Sequence, residues 1–167
     1  MNTENAEFHN VKLAKIYEDF NQFSEDENFW LQIIKELGVS EITDFGCGTG
    51  MFTLKLADLW YSVRWIEPAK AMIEIARNND TKQQVTWMEW SSEKLVWFQT
   101  ELVLMTSHVA QFITSSTDWE VLLQNIYNVL KPWGYILFDS KNPLWKPWEN
   151  YTREKCNITQ NTQFWEV

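Results

Sequence analysis

The chain has 167 residues, enough for a single domain with a buried core, and its 45% hydrophobic and 22% charged residues are the balance of an ordinary soluble fold. A net charge of −9 repels phosphate backbones and no basic run offsets it, so a nucleic-acid partner is not expected. There is no run of about 18 apolar residues to span a membrane, and the polar start Met1–Asn10 lacks the apolar centre of a secretory signal.

Hydrophobic periodicity predicts two N-terminal helices, over residues 10–21 and 25–37, the second with Phe29, Ile33, Ile34 and Leu37 on its apolar face. Ile42–Phe45 reads as a short strand running into a glycine-rich turn. A helix over Met51–Leu59 and a strand over Val63–Ile66 come next. Pro68 then stands where a helix favours its first residue, ahead of Met72, Ile73 and Ala76 on one face. Val85–Met88 and Leu102–Met105 are the third and fourth strands. Thr117-Asp118-Trp119-Glu120 has the capping-box pattern before a stripe of Trp119, Leu122, Leu123, Ile126 and Leu130. Lys131-Pro132 is expected to end that helix, and Tyr135–Phe138 to form the fifth strand. Strand and helix alternate about every 20 residues, which predicts an α/β fold, a Rossmann-like, doubly wound, mostly parallel sheet with helices on both faces. A ligand then belongs at the carboxyl ends of the strands, near the point where strand order reverses.

The informative segment lies at that edge. Asp44-Phe45-Gly46-Cys47-Gly48-Thr49-Gly50 follows a strand and precedes a helix, and alternating glycines let the backbone turn tightly against a ligand. Glu67, at the end of the second strand, can accept hydrogen bonds from both hydroxyls of a ribose. A dinucleotide site requires G-x-G-x-x-G, with a pyrophosphate on the helix N-terminus. Here Met51 holds that third position, the glycine falls one place early, and an acid at position 44 suits an ammonium and a sulfonium better than a phosphate. The D-x-G-x-G-x-G form points to S-adenosylmethionine.

In these motifs the chain resembles the class I S-adenosylmethionine-dependent methyltransferases, and among them the small-molecule methyltransferase-domain subfamilies. Five stretches match in order: Ile42–Gly50, Val63–Arg77, Val85–Leu95, Leu102–Ile113 and Val129–Pro143. The resemblance implies that Asp44 lies near the methionine amino end, that Gly46, Cys47, Gly48 and Gly50 form the backbone cradle, and that Glu67, followed by Pro68, holds the ribose. Ser91 and Ser92 stand beside the adenine, where the family usually has Asp-Ala. Tyr17 matches an N-terminal aromatic that closes over the cofactor. His108, just past the fourth strand, is the candidate for a catalytic base or an acceptor-orienting group, with Gln111 a weaker candidate. The tetrapeptide that marks amino-group methylation of nucleobases and glutamine is absent after this strand. The expected acceptor is a small molecule.

Two cysteines far apart, Cys47 and Cys156, make neither a disulfide framework nor a zinc site, so no metal is expected and a cytoplasmic location is the simplest reading. Asn150-Tyr151-Thr152 and Asn157-Ile158-Thr159 match the glycosylation pattern, which has no meaning without secretion. The 11 tryptophans against 5 glycines are out of proportion. Trp60 falls at a helix C′ position and Trp133 in a Lys-Pro-Trp-Gly turn, both places that favour a left-handed backbone and hence glycine. Trp65 and Trp90 fall beside the expected cofactor pocket, where a small residue is usual, and Trp97 and Trp165 are further cases. These positions suggest UGA codons that mean glycine in the source and were read as tryptophan; Trp30, Trp119, Trp145 and Trp148 read as genuine. Residues 1–167 are read as one domain, with helices over 1–40, a cofactor-binding core over 41–143 and an incomplete part over 144–167. The antiparallel strands that normally complete such a sheet are expected to be missing, with Gln163–Val167 a strand just beginning. A catalytically inactive binding module of the same fold and a nucleotide-cofactor oxidoreductase are the alternatives.

Overall fold

A computed structural model describes residues 6–21, 25–89, 98–142 and 144. The chain opens with a short helix α1 (Ala6–His9) and helix α2 (Val11–Phe20). Asn10 caps α2 by accepting the Lys12 N–H at 2.9 Å, and Ala14 turns inward, fully buried. Helix α3 (Glu25–Leu37) follows. Its Ile34 is buried and Leu37 half-buried, but Phe29 is 58% exposed and edge-on to Trp30, so the apolar face runs through Trp30, Leu31 and Ile34 rather than through Phe29.

Strand β1 (Glu41–Phe45) leads through the glycine turn into α4 (Met51–Asp58), β2 (Ser62–Glu67), α5 (Lys70–Asn79) and β3 (Thr86–Glu89). The chain then crosses to β4 (Thr100–Met105), a single 3-10 turn (Val109–Phe112), α6 (Ser116–Val129) and β5 (Leu130–Phe138). All five strands are parallel, in the order β3-β2-β1-β4-β5. Strand order therefore reverses between β1 and β4, which places the ligand edge at the C-terminal ends of those two strands.

The sheet is buried on both faces, as parallel sheets require. On one face Ile42, Val63, Trp65, Leu102 and Leu104 pack against Ile34 of α3, Leu56 of α4 and Ala76 of α5. On the other Phe45, Ile66, Val103 and Met105 meet Leu122, Ile126 and Val129 of α6. Helices α1 and α2 join α5 through Ala14, Tyr17, Met72 and Ile75.

Three expected boundaries move. Lys70, not Pro68, is the first residue of α5, with Ala69 as the N-cap: the Ala69 N–H is taken by the Glu67 carboxylate and the Ala69 carbonyl starts the helical bonding. Ser115, not Thr117, caps α6 by accepting the Asp118 N–H at 3.3 Å. Leu123 is 38% exposed and Leu130 has left the helix, so Val129 completes the buried stripe. Lys131-Pro132 does follow the end of that helix, but inside β5 rather than ahead of it. Thr100 pairs with Leu130 and Leu102 with Tyr135, so the residues between Leu130 and Tyr135 loop out as a bulge, a place where a strand tolerates proline.

Both expected left-handed tryptophans are found as such. Trp60 has φ 70° and Trp133 φ 68°, and each is 93% exposed. Around Trp60 the Tyr61 N–H bonds to the Leu56 carbonyl and the Trp60 N–H to that of Ala57, the paired bonds of a Schellman helix end. Trp65 differs from expectation. It is fully buried in the core, edge-on to Trp87 at 4.7 Å between ring centroids, and so does not crowd the ligand edge. Its indole N–H has no acceptor among the described residues. Trp90, Trp97, Trp145, Trp148, Trp165 and the expected strand Gln163–Val167 lie outside the described residues. Among the described residues no helix is long and apolar enough to cross a membrane, and no cluster of His, Cys, Asp and Glu is arranged to hold a metal ion.

Candidate functional site

The carboxyl edge of the sheet gathers most of the residues singled out from the sequence. Gly46 (φ 77°), Gly48 (φ 61°) and Gly50 (φ 79°) all have left-handed backbones. Two of them also admit no side chain. A Cβ on Gly46 would lie 2.6 Å from Val109 Cγ1, in the loop after β4, and one on Gly50 would lie 2.9 Å from the Trp87 ring. The loop is thus pressed between the β4 segment and the core, with the Gly46 N–H bonded to the Ile66 carbonyl and the Gly50 N–H to that of Cys47.

Two acids flank this loop. Asp44 is completely buried near the end of β1; its Oδ2 accepts the Thr53 hydroxyl at 2.6 Å, while Oδ1 has no partner among the described residues. Burial pushes its carboxyl up to about 7, against the lowering effect of the Thr53 hydroxyl. Glu67 ends β2 and is 6% exposed. Its Oε1 accepts the Ala69 N–H at 2.9 Å and Oε2 the Gly48 N–H at 3.2 Å, so the carboxylate ties the cradle to the start of α5. Burial raises it to about 7 as well; the two backbone N–H groups lower it and Asp44 raises it. Burial likewise raises the Cys47 thiol, with Asp44 and Glu67 adding to the effect. Pro68 follows, half-buried, at the bend between β2 and α5.

Tyr17 of α2 lies over this cradle, its Cε1 3.6 Å from where a Gly48 Cβ would stand. Its phenol is raised above its ordinary value by burial first, then by Glu67 and Cys47. From Tyr17 a cleft of about 580 Å³ opens away from the cradle. Its roof comes from α1, α2 and α3 and its floor from the loops after β4 and β5.

His108 stands in that floor. Ser107 (φ 56°) and His108 (φ 64°) are consecutive left-handed residues, a strained arrangement for side-chain-bearing positions. A carboxylate holds it: Asp139 Oδ1 accepts the His108 backbone N–H at 2.9 Å, and Oδ2 lies 2.7 Å from the ring Nδ1. That ring contact is a close approach rather than an aligned hydrogen bond. Gln111 also lines the cleft, exposed on the 3-10 turn. Ser91 and Ser92 lie outside the described residues.

Two residues of this edge were not anticipated. Thr53 sits in the first turn of α4, where a hydroxyl reaches back to the acid before the glycine loop. Asp139 immediately follows β5, as Glu67 ends β2. An acid at the carboxyl end of a parallel strand is the signal that would have found it.

Known proteins resemble this chain in sequence and in fold. YqeM of Bacillus subtilis strain 168, named as a methyltransferase, is 25% identical over 101 residues, covering 59% of this chain and 41% of that protein. The chain thus spans well under half the length of the curated relatives it matches. Among solved structures, the CcbJ methyltransferase of Streptomyces caelestis aligns with a TM-score of 0.69 at 16% identity, over 81% of this chain and 57% of CcbJ. The S-adenosylmethionine-bound amino pentose methyltransferase CalS10 of Micromonospora echinaspora aligns with a TM-score of 0.66 at 18% identity, over 83% and 58% of the two chains. The family model described as methyltransferase domain matches residues 42–134, from the start of β1 to the bulge of β5. That match covers more than half of the sequence, and the chain belongs to the methyltransferase domain family.

Proposed function

We propose that this chain is the cofactor-binding part of an S-adenosylmethionine-dependent methyltransferase that acts on a small molecule in the cytoplasm. The observation that carries the reading is Asp44. A fully buried carboxylate oxygen without a partner among the described residues, beside a glycine cradle, asks for a cationic hydrogen-bond donor. The ammonium group of a methionyl chain is such a donor. A pyrophosphate is not, and it would place negative charge against Asp44, which argues against a nucleotide-cofactor oxidoreductase. CalS10, with the same fold, holds S-adenosylmethionine in its structure.

In this reading Cys47 and Gly48 turn their backbone N–H groups to the cofactor, while Gly46 and Gly50, whose own N–H groups bond to the Ile66 and Cys47 carbonyls, let the loop pack tightly enough to form the cradle. Glu67 exchanges its Gly48 contact for the ribose hydroxyls, Pro68 fixes the turn that aims it, and Tyr17 closes over the cofactor. Ser91 and Ser92 flank the adenine. When bound, S-adenosylmethionine supplies a methyl group on a positively charged sulfur, already activated to leave. The protein's task is then to orient an acceptor and exclude water. His108 is the group placed to touch that acceptor. The net charge of −9 supports a small-molecule acceptor over a nucleic acid.

Calorimetric titration with S-adenosylhomocysteine and with NAD, on the chain and on Asp44→Ala, tests this. Binding of the homocysteine adduct alone, lost in the variant, is the expected result. NAD binding, or no binding by a folded sample, overturns the proposal.

A further inference from the structure

The cleft beyond Tyr17 has a composition that the cofactor reading does not use. Phe8, Tyr17, Trp30 and Phe112 give it aromatic walls, with Phe8 edge-on to Phe112 at 5.5 Å and to Tyr17 at 6.1 Å. Its charged lining is unbalanced: Asp26, Glu27 and Asp139 against Lys141. Aromatic faces attract a cation through the ring quadrupole, and carboxylates add Coulomb attraction where the cleft narrows the access of water. Neither feature favours a carboxylate or phosphate ligand.

The floor adds a directional group. In the neutral imidazole, Asp139 Oδ2 at 2.7 Å from His108 Nδ1 favours the proton on Nδ1, although the two are not aligned as a hydrogen bond. Nε2 is then left as a hydrogen-bond acceptor. Asp139 also takes the His108 backbone N–H, so one carboxylate holds the loop and biases the tautomer. The titratable groups that line the cleft with the imidazole are Asp139, Lys141 and Tyr17, with Asp26 and Glu27 supplied by α3.

We propose that this cleft is the acceptor site, that it selects an organic amine in its ammonium form carried on an apolar body, and that Asp139 is the positioning residue that turns His108 Nε2 toward the ammonium N–H, whose proton the imidazole takes so that the nitrogen lone pair is free to accept the methyl group. This rests on the methyltransferase reading above, because the cleft is an acceptor site only if the adjoining cradle holds the methyl donor. The carboxylates and aromatic faces choose the charge, and the imidazole chooses a donor N–H.

The full chain is titrated calorimetrically with phenethylamine and with phenethyl alcohol, each with and without S-adenosylhomocysteine. The amine is expected to bind about tenfold or more tightly than the alcohol, and Asp26→Asn and Asp139→Asn each to remove most of that preference. Equal binding of the two probes, preference for the alcohol, or no binding of either at millimolar concentration overturns the proposal. Nitrogen NMR supplies a readout that a merely structural Asp139 would not move, because His9 and His108 are the two histidines of the chain. The wild type is expected to show His108 protonated at Nδ1, with the Nε2 signal shifted by amine and the tautomer preference lost in Asp139→Asn. A His108 protonated at Nε2, or blind to the amine, overturns the positioning role. Adduct binding in the same titrations reports on the cradle separately: its failure with amine selectivity intact sinks the methyltransferase reading and leaves a cationic-ligand cleft.

Discussion

Asp44 places two opposite demands on one carboxyl group. Buried and raised to about 7, it is cheapest to keep when protonated, yet a cationic ligand needs it ionised. Glu67 is raised to about 7 by the same burial. For an acid whose folded value exceeds its unfolded value, the folded state binds the extra proton between the two, so stability falls as pH rises through that interval. The unliganded protein is therefore expected to lose thermal stability as pH rises from about 4 to about 7 and to level off above, read by melting scans across that range. Asp44→Asn keeps an oxygen for Thr53 and removes the charge. It is expected to stabilise the free protein at about pH 8 by ~1–3 kcal/mol while abolishing binding of S-adenosylhomocysteine by calorimetry. A variant that lost both stability and binding would show that Asp44 is a structural acid only. Gly46→Ala drives a methyl group into Val109 in a left-handed backbone, and its expected cost of ~2 kcal/mol or more in urea unfolding should come with a displaced His108 loop.

At the scale of elements, the helix end after α4 and the bulge of β5 each carry a tryptophan in a conformation that favours glycine. A left-handed residue with a Cβ costs about 1–2 kcal/mol, partly offset by the greater freedom glycine has when unfolded. Trp60→Gly and Trp133→Gly are therefore each expected to stabilise the fold by ~0.5–1 kcal/mol in urea titrations. Reading the codons is the companion measurement: UGG at 60 and 133 would refute the idea that glycine was intended there. Both conformations were legible in the sequence because helix-end and turn grammar is local. The glycine turn, Asp44 and Glu67 were legible for the same reason, since a strand, a turn and a helix within ten residues fix where those side chains stand. What escaped was set by partners distant in sequence. Helix α5 starts at Lys70, two residues after Pro68, where the Glu67 carboxylate claims the N–H of the capping Ala69. The start of β5 was missed because its pairing with Thr100 comes before the bulge, and no periodicity of residues 130–134 reveals that pairing. Asp139 and His108 lie on successive strand ends, so only the parallel sheet brings them together. Trp65 was misplaced for a simpler reason: nearness in sequence to Glu67 does not say how deep in the layer a side chain sits.

Across the whole molecule, adjacent residues of β4 serve opposite sides of the sheet. Leu104 faces α3, α4 and α5, and Met105 faces α6, and both are fully buried. Leu104→Ala and Met105→Ala are each expected to cost ~2–5 kcal/mol while unfolding stays a single transition by fluorescence and circular dichroism, because one sheet is common to both layers. Separate transitions would show that the two layers fold independently. The strand order has a consequence for how the chain is made. Strand β1 finds β2 within about 20 residues, but its other edge waits for β4, which begins at Thr100. At typical rates of synthesis, roughly 55 residues take about 3–11 s to deliver. Through that interval β1, the future centre of the sheet, has at most β2 and then β3 on one side and a bare edge on the other, and a cell that makes this protein has to shield that edge before the second half arrives.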